Sequence, residues 1–483
     1  MSETNDSFYL FNLIQILITF ISSINFLFIL EPNKSVVKMK IIIAGAGQVG
    51  IHLAKMLSSE YHDLIVIDTE EENLKNISAN LDLMTITGSA TSFEVLKDAQ
   101  VKKADLFIAV AHSEEANILA SMIAKKLGAK KTVARVDNYE YVEPENISHF
   151  KGLGIDYLIY PERIAAREVV DSLGYEISEI VDFSGGKLSL FVIRLDENAP
   201  VINNTLMQVT KQNKDIEFRA VAITRNGQTI IPRGHDSFMV NDLVHVVTNK
   251  SGFDDVMKYS GKKKLDIKNV MIIGGSRIGK RTAKLLEGRF NIKLIEKDKD
   301  KSYQLADYLK NTLVINGDGS NIDLLNEEGL ASMDTLIAVT GNSETNILTC
   351  VLAKKMGVKK TIAEIENIDY IDLGESMGID TIINKKLITA SRIFKYTMSS
   401  KVESMKCLTG SDTEVLEFVA RQGSLITKDK LRNIDFPKDA LVGGYIRDHK
   451  GFIAKGDTHI KADDRVVVFT LPSAIKKLDS FFN

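Results

Sequence analysis

KIIIAGAGQVG at residues 40–50 and NVMIIGGSRIG at residues 269–279 are the two stretches that decide the fold, and they begin 229 positions apart. A longer run, AVAHSEEANILASMIAKKLGAKKTVARVDNYEYVE at 109–143, aligns at the same offset with AVTGNSETNILTCVLAKKMGVKKTIAEIENIDYID at 338–372. Agreement at one fixed offset over so many residues identifies an internal duplication.

Within the first copy, short uncharged runs alternate with amphipathic runs. The uncharged runs are typical of strands buried on both faces, and a 3.6-residue apolar period predicts helices. The predicted strands are 40–44, 63–68, 83–87, 105–111, 131–136 and 156–160. The predicted helices are 48–59, 70–79, 91–100, 113–127 and 162–173. This alternation predicts the α/β class, with a Rossmann-like, doubly wound parallel sheet in each copy.

A smaller segment with short alternating strands follows each copy. The predicted strand regions are 188–195, 220–232, 243–248, 414–421, 441–456 and 465–471. Arg225-Asn226-Gly227 and His449-Lys450-Gly451 are predicted as hairpin turns between such strands. The small segments are therefore expected to be α+β modules. The predicted modules are 1–38, 39–175, 176–259, a linker at 260–268, 269–398 and 399–483.

The first glycine-rich loop follows a strand and opens a helix, which predicts a phosphate-binding turn. Its members are Gly45, Ala46, Gly47, Gln48, Val49 and Gly50. The first glycine permits a tight turn, the middle one lets the backbone approach a pyrophosphate, and the third packs helix on strand. Asp68 ends the next strand, where a carboxylate can accept the ribose hydroxyls. We expect a nucleotide site; the alternative is a plain tight turn.

The second loop differs from the first at its middle position. Its members are Gly274, Gly275, Ser276, Arg277, Ile278 and Gly279, and Glu296 ends the next strand. Ser276 makes close backbone approach less easy, and Arg277 is either a direct phosphate partner or a solvated residue at the helix start. The acidic strand ends disfavour a 2′-phosphate in both copies, and so disfavour NADP.

A third element, TGSAT at 87–91 and NGDGS at 316–320, also differs between the copies. Asp318 is either an adenosine contact or a helix cap, and its counterpart is Ser89. One carboxylate is therefore absent from the first copy, and the two sites are not expected to be equivalent.

Composition narrows the classes of function. The 61 Lys and Arg residues against 64 Asp and Glu residues leave a net charge of −3, which disfavours nucleic acid as a partner. Two cysteines, Cys350 and Cys407, exclude a disulfide scaffold and fit a reducing compartment. A YxxxK pattern at Tyr259 and Lys263 falls in the polar linker, and Cys350 lies in an apolar helix face. We therefore expect a binding protein and no enzyme; an NAD-dependent oxidoreductase is the alternative.

Residues 8–30, FYLFNLIQILITFISSINFLFIL, carry no charge over 23 positions. As a helix they would span about 35 Å, enough to cross a hydrocarbon core. Three interpretations stay open: a start-site artefact with Met39 as the true start, a membrane anchor, or a cleaved signal.

The motifs of the two copies resemble those of the RCK/KTN domain family. The resemblance depends on the two GxGxxG-like loops, the acidic strand ends, the GD(A/G)(T/S)-like element, and further motifs at 104–111, 333–340 and 134–138. It covers residues 39 to about 480, and the tandem order is similar to that of the regulatory subunits of Trk potassium-uptake systems.

The resemblance implies a cytoplasmic, peripheral subunit on the inner face of the plasma membrane. It also implies assembly, as a tetramer, beneath a membrane potassium-translocating subunit, with NAD(H) and possibly ATP or ADP gating ion flux. Carried over by position, Arg135 matches an arginine that reaches phosphates, whereas Glu364 stands at that place in the second copy and Ser89 departs from the family's aspartate. Regulation of a different ion-transport system is a further alternative.

Overall fold

The computed structural model of the 483-residue chain describes residues 39–58, 62–173, 177, 179–212, 217–226, 228–397, 402–407 and 413–483. The apolar segment 8–30 and the interpretations placed on residues 1–38 lie outside the described residues. Across the described ranges, no helix combines the length and the apolar run needed to cross a bilayer.

The first copy forms a six-stranded parallel sheet in the order β3-β2-β1-β4-β5-β6. Its strands are β1 Lys40–Ala44, β2 Asp63–Asp68, β3 Met84–Thr87, β4 Leu106–Ala109, β5 Lys131–Arg135 and β6 Tyr157–Ile159. Its helices are α1 Gln48–Ser58, α2 Glu71–Ser78, α3 Phe93–Asp98, α4 Glu114–Leu127, α5 Pro144–Gly152 and α6 Pro161–Ser172. The predicted elements lie within two residues of these bounds, except that α5 was not predicted.

The first small segment forms a five-stranded antiparallel sheet in the order β10-β9-β11-β8-β7. Its elements are β7 Glu179–Phe183, β8 Leu188–Arg194, α7 Leu206–Gln212, β9 Phe218–Arg225, β10 Gln228–Ile230, β11 Leu243–Thr248 and α8 Phe253–Ser260. The predicted region 220–232 is thus a hairpin, with Arg225 paired to Gln228 across its turn.

The second copy repeats the parallel sheet in the order β14-β13-β12-β15-β16-β17. Its strands are β12 Asn269–Ile273, β13 Asn291–Glu296, β14 Thr312–Asn316, β15 Thr335–Ala338, β16 Lys360–Glu364 and β17 Thr381–Ile383. Its helices are α9 Arg277–Leu286, α10 Lys299–Tyr308, α11 Ile322–Glu327, α12 Ser343–Lys355, α13 Ile371–Ser376 and α14 Lys385–Phe394. The predicted Rossmann-like architecture is confirmed in both copies.

The second small segment forms an antiparallel sheet in the order β18-β19-β22-β20-β21. Its elements are β18 Val402–Cys407, β19 Glu414–Val419, β20 Ala440–Arg447, β21 Lys450–Ile453, β22 Arg465–Thr470 and α15 Ile475–Phe482. The turn predicted at His449-Lys450-Gly451 is wrong by one position. Arg447 pairs with Lys450, so Asp448 and His449 are the two central residues of the turn. Their φ values of 50° and 62° suit the right-handed twist of the strands.

Contacts between the small sheets and contacts between the large domains both join the copies. The small sheets share an apolar cluster that includes Leu188 and Val247 from the first and Phe469 from the second. The large domains exchange helix contacts: α6 packs along α9, and α14 packs along α1. The last helix of each large domain therefore lies against the helix that follows the glycine-rich loop of the other.

Candidate functional site

Each large sheet opens a crevice at the carboxyl ends of its strands. The strand order reverses direction between β1 and β4 in the first copy and between β12 and β15 in the second. Ligands of open α/β sheets bind at such switch points. Both glycine-rich loops follow the strand on one side of this point, so the fold places them at equivalent crevices.

The outer glycines of the first loop are required by its backbone. Gly45 has φ 111°, and a Cβ there would lie 2.6 Å from the Ala111 nitrogen. A Cβ on Gly50 would lie 1.8 Å from the Gly45 oxygen. Gly274 and Gly279 repeat this arrangement, with a φ of 99° at the first and a Cβ clash at 2.0 Å at the second. The roles predicted for the first and third glycines hold for the geometry of both loops.

The middle position is open in the first loop and filled in the second. A Cβ on Gly47 would meet nothing within 4 Å. Ser276 takes the same place in the second loop, lines the crevice, and accepts a hydrogen bond from the Gly279 nitrogen at 3.3 Å as the cap of α9. The serine thus stabilises the helix start and occupies space that the first loop leaves free.

The other small loop residues do not direct side chains at a ligand. Ala46, Val49 and Ile278 are buried and belong to the apolar clusters beneath the sheets. A Cβ on Gly275 would lie 2.2 Å from Leu305 Cδ1. Only the backbone of these four residues is available to a bound molecule.

The acidic strand ends are tied to the loops. Asp68 Oδ2 accepts a hydrogen bond from the Ala46 nitrogen, and its Oδ1 accepts one from the Glu70 nitrogen at 2.8 Å. A carboxylate at this place fixes the loop as well as facing the crevice.

Glu296 repeats this arrangement in the second copy. Its Oε2 accepts from the Gly275 nitrogen at 2.8 Å, and its Oε1 accepts from the Asp298 nitrogen at 2.9 Å. Lys301 Nζ lies 3.1 Å from Oε2. Burial alone would raise the pKa of Glu296, but these donors and the lysine hold it below its usual range. The carboxylate is therefore charged and already compensated.

The third element also differs between copies. Asp318 Oδ2 lies 2.7 Å from Lys297 Nζ, and Oδ1 accepts from the Ser320 nitrogen at 2.9 Å. The lysine and the serine hold the pKa of Asp318 well below its usual range. Asp318 is not the helix cap, since Asn321 caps α11. Within the described part of the chain, the hydroxyl of its counterpart Ser89 bonds inside its own turn, to Thr91 Oγ1 at 2.8 Å.

In the second copy these residues line a cleft of about 420 Å³. Beside the loop, strand-end and third-element residues, its wall includes residues that follow β15. The lining residues are Ile273, Gly274, Ser276, Ile295, Glu296, Lys297, Lys301, Asp318, Gly319, Ser320, Thr340, Gly341, Asn342 and Thr345. Backbone donors, carboxylates and lysines thus converge on one concave surface.

The fourth loop residues face the opposite copy. Arg277 Nη1 lies 3.1 Å from Asp137 Oδ2 and 3.7 Å from Glu162 Oε1, both in the first copy. In the mirror contact, Lys386 at the start of α14 donates to Gln48 Oε1. The structure therefore places Arg277 against carboxylates, which neither alternative from the sequence included, and a phosphate contact by Arg277 stays a prediction.

Arg135 and its counterpart Glu364 lie near these contacts between the copies. Arg135 Nη2 lies 3.3 Å from Asp137 Oδ1, and its Nε is buried without a hydrogen-bond partner among the described residues. Glu364 is buried, and its Oε1 lies 3.1 Å from Lys385 Nζ. Burial raises the pKa of Glu364. The position that holds a cation in the first copy therefore holds a buried carboxyl group in the second.

Sequence reasoning assigned no role to one matched pair, Asn117 and Asn346. Asn117 accepts from the Ala111 nitrogen at 2.8 Å and donates to the Ala111 and Arg135 oxygens, each at 3.0 Å. Asn346 accepts from the Thr340 nitrogen at 3.0 Å and donates to the Thr340 and Glu364 oxygens. Each amide ties the ends of two strands at the crevice. The presence of asparagine at this position in both copies could have indicated a structural role.

The candidate catalytic groups lie elsewhere. Cys350 is fully buried, its thiol donates to the Ile362 oxygen at 3.5 Å, and burial raises its pKa, as expected of a core residue. Tyr259 lies in α8 beside Phe218, away from both crevices. Within the described ranges, no group of three or more His, Cys, Asp or Glu side chains is arranged to hold a metal ion.

A duplicated Rossmann-like domain, each copy with a glycine-rich loop at its switch point and a small antiparallel domain after it, defines a tandem protein of the nucleotide-binding α/β class. The model of the TrkA-N domain matches residues 41–161 and 270–385, and that of the TrkA-C domain matches residues 190–261 and 415–483. The chain belongs to the TrkA family.

Individual relatives agree with this assignment. "Trk system potassium uptake protein TrkA homolog 1" of Methanosarcina mazei is 33% identical over 454 residues, covering 92% of this chain and 100% of the relative. The TrkA homolog of Archaeoglobus fulgidus is 34% identical over 447 residues, with the same coverage of 92% and 100%. Among solved structures, "GsuK channel bound to NAD" superposes with a TM-score of 0.57 at 16% identity, covering 93% of this chain and 80% of that one. This likeness shows a shared fold.

Proposed function

We propose that this chain is the regulatory subunit of a membrane potassium-uptake transporter or channel, and that it has no catalytic role of its own. The observation that carries the proposal is the full-length similarity to relatives that are named as Trk potassium-uptake proteins. The similarity includes both large and both small domains, so it extends beyond a nucleotide-binding fold alone.

The ligand of the large domains is NAD(H), with ATP or ADP as further candidates. Two features support this part of the proposal: outer glycines placed for a phosphate turn, and a carboxylate at the end of the neighbouring strand. A structure with the same fold is described as bound to NAD. The proposed contact residues are those predicted from the sequence: both six-residue loops, Asp68, Glu296, Ser89, Asp318, Arg135 and Arg277.

The packing of helices between the two large domains supports a gating mechanism. The fourth loop residue of each copy touches the start of the other copy's last helix, through Arg277 with Glu162 and Gln48 with Lys386. A ligand on either loop would therefore shift the packing of α6 on α9 or of α14 on α1. Moving a gate from 1:99 to 99:1 requires about 5.5 kcal/mol of differential binding, or about 1.4 kcal/mol at each of roughly four sites.

The remaining parts of the proposal concern assembly and location. The subunit would form a tetramer beneath the potassium-translocating membrane subunit, on the inner face of the plasma membrane. The module boundaries are proposed as predicted: 39–175, 176–259, 260–268, 269–398 and 399–483. An exposed leucine at the same place in each copy, Leu119 on α4 and Leu348 on α12, is a candidate contact for such assembly.

Potassium uptake in a host strain that lacks this chain tests the proposal. We expect the loss of uptake to be restored by the intact gene, and normal uptake in the deletion strain would contradict a regulatory role. Calorimetric titration of the purified protein with NADH and with ATP tests the ligand. Steady turnover of the nicotinamide cofactor with a small substrate would instead favour the oxidoreductase alternative.

A further inference from the structure

The two crevices differ in charge at the end where the ribose of a nucleotide would lie. In the first copy, residues 68–75 read DTEEENLK, with four carboxylates and one lysine. In the second copy, residues 296–303 read EKDKDKSY, with three carboxylates and three lysines. The first of these segments therefore has a strongly negative net charge, whereas the net charge of the second is close to zero.

Two of the lysines in the second copy line the cleft itself. Lys297 follows Glu296 directly and lies 2.7 Å from Asp318 Oδ2, while Lys301 lies 3.1 Å from Glu296 Oε2. The positions one and five residues after the acid in the first copy are Thr69 and Asn73, which carry no charge. The lysines are therefore a specific difference between two otherwise similar sites.

These lysines lie beside the acid at the end of β13, where a Rossmann-like domain would hold the ribose 2′-oxygen. In Rossmann-like domains the acid at the second strand bonds the 2′-hydroxyl, and a neighbouring cation accommodates a 2′-phosphate. Lys297 is largely exposed and its pair with Asp318 is open to solvent, so the pair contributes little and can exchange partners. The charge of Glu296 is already offset by Lys301 and two backbone donors.

We propose that the second cleft accepts the 2′-phosphorylated dinucleotide NADP(H) as well as NAD(H), with Lys297 and Lys301 as the groups that admit the phosphate. We expect the first crevice to exclude it, because the corresponding segment carries Asp68, Glu70, Glu71 and Glu72 and has no lysine at positions 69 and 73. The inference rests on the proposed nucleotide-binding function. It also revises the expectation, based on the acidic strand ends alone, that NADP is disfavoured in both copies.

The test uses the full chain with the first crevice blocked. Gly47→Val is designed to fill the space beside the first loop, where an added Cβ meets nothing within 4 Å, and we expect it to block binding there without disturbing the fold. In this background, titration calorimetry with NADPH and NADH measures the second cleft alone. We expect the two dissociation constants to agree within about threefold, because charge-assisted contacts to the phosphate replace those lost to the acid. NADPH binding weaker than NADH binding by tenfold or more overturns the inference.

Matched substitutions assign the effect to the lysines. K297T and K301N, made together in the Gly47→Val chain, install the residues found in the first copy, and we expect the NADPH-to-NADH ratio of dissociation constants to rise about tenfold. NADH binding by the same variant reports that it is folded. An unchanged ratio also overturns the inference, whereas failure of the Gly47→Val and unmodified chains to bind either dinucleotide contradicts the proposed function itself.

Discussion

The two large domains share their backbone geometry and differ in the chemistry of their crevices. Both loops place glycine at the turn and at the helix contact, and both acids bond the second loop residue. The residues at and around the crevice are different: Gly47, Ser89 and Arg135 in one copy correspond to Ser276, Asp318 and Glu364 in the other. Duplication has therefore kept what holds the loop and changed what a ligand would touch.

The largest expected effect separates the positions that hold the loop from those that a ligand would touch. Gly50→Ala places a methyl group 1.8 Å from the Gly45 oxygen, and the helix and strand must part to admit it. We expect a loss of about 3 kcal/mol in the free energy of unfolding, measured by urea denaturation. Gly47→Ala, with no atom within 4 Å of the added carbon, is the control and should change stability by less than about 0.5 kcal/mol. Equal losses for the two variants would contradict the assigned glycine roles.

The buried asparagines test whether the two copies are held in the same way. Asn117→Ala and Asn346→Ala each leave strand-end backbone groups without their amide partner. Because unpaired buried groups are costly, we expect each variant to lose about 2 kcal/mol of stability. Lys126→Ala, at an exposed position on the same helix as Asn117, serves as control. A loss confined to one copy would mean that the shared geometry is not equally important in both.

The small domains offer a second comparison, between His245 on β11 and Val467 at the matching place on β22. Both are fully buried, and neither ring nitrogen of His245 has a hydrogen-bond partner among the described residues. Burial lowers the pKa of His245 from 6.5 to about 3. The folded state therefore holds the ring neutral, while the unfolded state takes up a proton below pH 6.5.

His245→Val should consequently stabilise the protein, and the gain should grow as the pH falls. The neutral imidazole buried without a partner suggests a gain of about 1 kcal/mol at pH 7.5. Proton uptake by the unfolded state adds about 2 kcal/mol by pH 5, and further acidification towards pH 3 increases it. Denaturation at both pH values measures this, with Val467→His as the reciprocal variant expected to lose stability. A gain that is the same at pH 7.5 and pH 5 would contradict a buried neutral histidine.

The sequence predicted the elements that depend on local pattern. Apolar runs such as that of β1 are buried on both faces, so their bounds follow from hydropathy alone. The helix α5 was missed, although Pro144 at its first turn is a start signal, because none of its residues is buried and its apolar period is weak. The turn at Asp448 and His449 was misplaced because glycine is common in hairpin turns, and the prediction therefore included Gly451. Gly451 instead lies in β21, close to the backbone of Lys187.

The geometry of the loops could be predicted where it depends on one segment, and could not where two distant segments meet. The loop glycines and the acids lie within one strand-helix-strand unit, so their spacing in sequence fixes their geometry. The contact of Arg277 with Asp137 joins residues 140 positions apart, and it exists only because α6 crosses to α9. No local pattern contains that crossing. The identity of the ligand at each contact residue stays a prediction.

The smallest expected effect bears on the middle loop position, where the copies differ by a single side chain. Ser276→Gly removes the cap on the Gly279 nitrogen, but glycine is itself tolerated at helix starts, so we expect a stability loss of only a few tenths of a kcal/mol. It also opens the space that Gly47 leaves free in the first loop. A pyrophosphate could then lie closer to the backbone donors, and we expect NADH affinity of the second cleft to rise by about threefold.

Gly47→Ser is the reciprocal change and separates the two roles of the serine. If the hydroxyl acts mainly as a cap, Gly47→Ser raises stability slightly and leaves NADH affinity at the first crevice unchanged. If its bulk limits backbone approach, affinity there falls while that of Ser276→Gly rises, in calorimetric titrations with the other crevice blocked. The second outcome is expected, because the serine side chain lines the cleft while its bond to Gly279, at 3.3 Å, is long. Opposite changes in NADH affinity in the two variants would show that the serine side chain sets the difference in phosphate binding between two loops of the same backbone geometry.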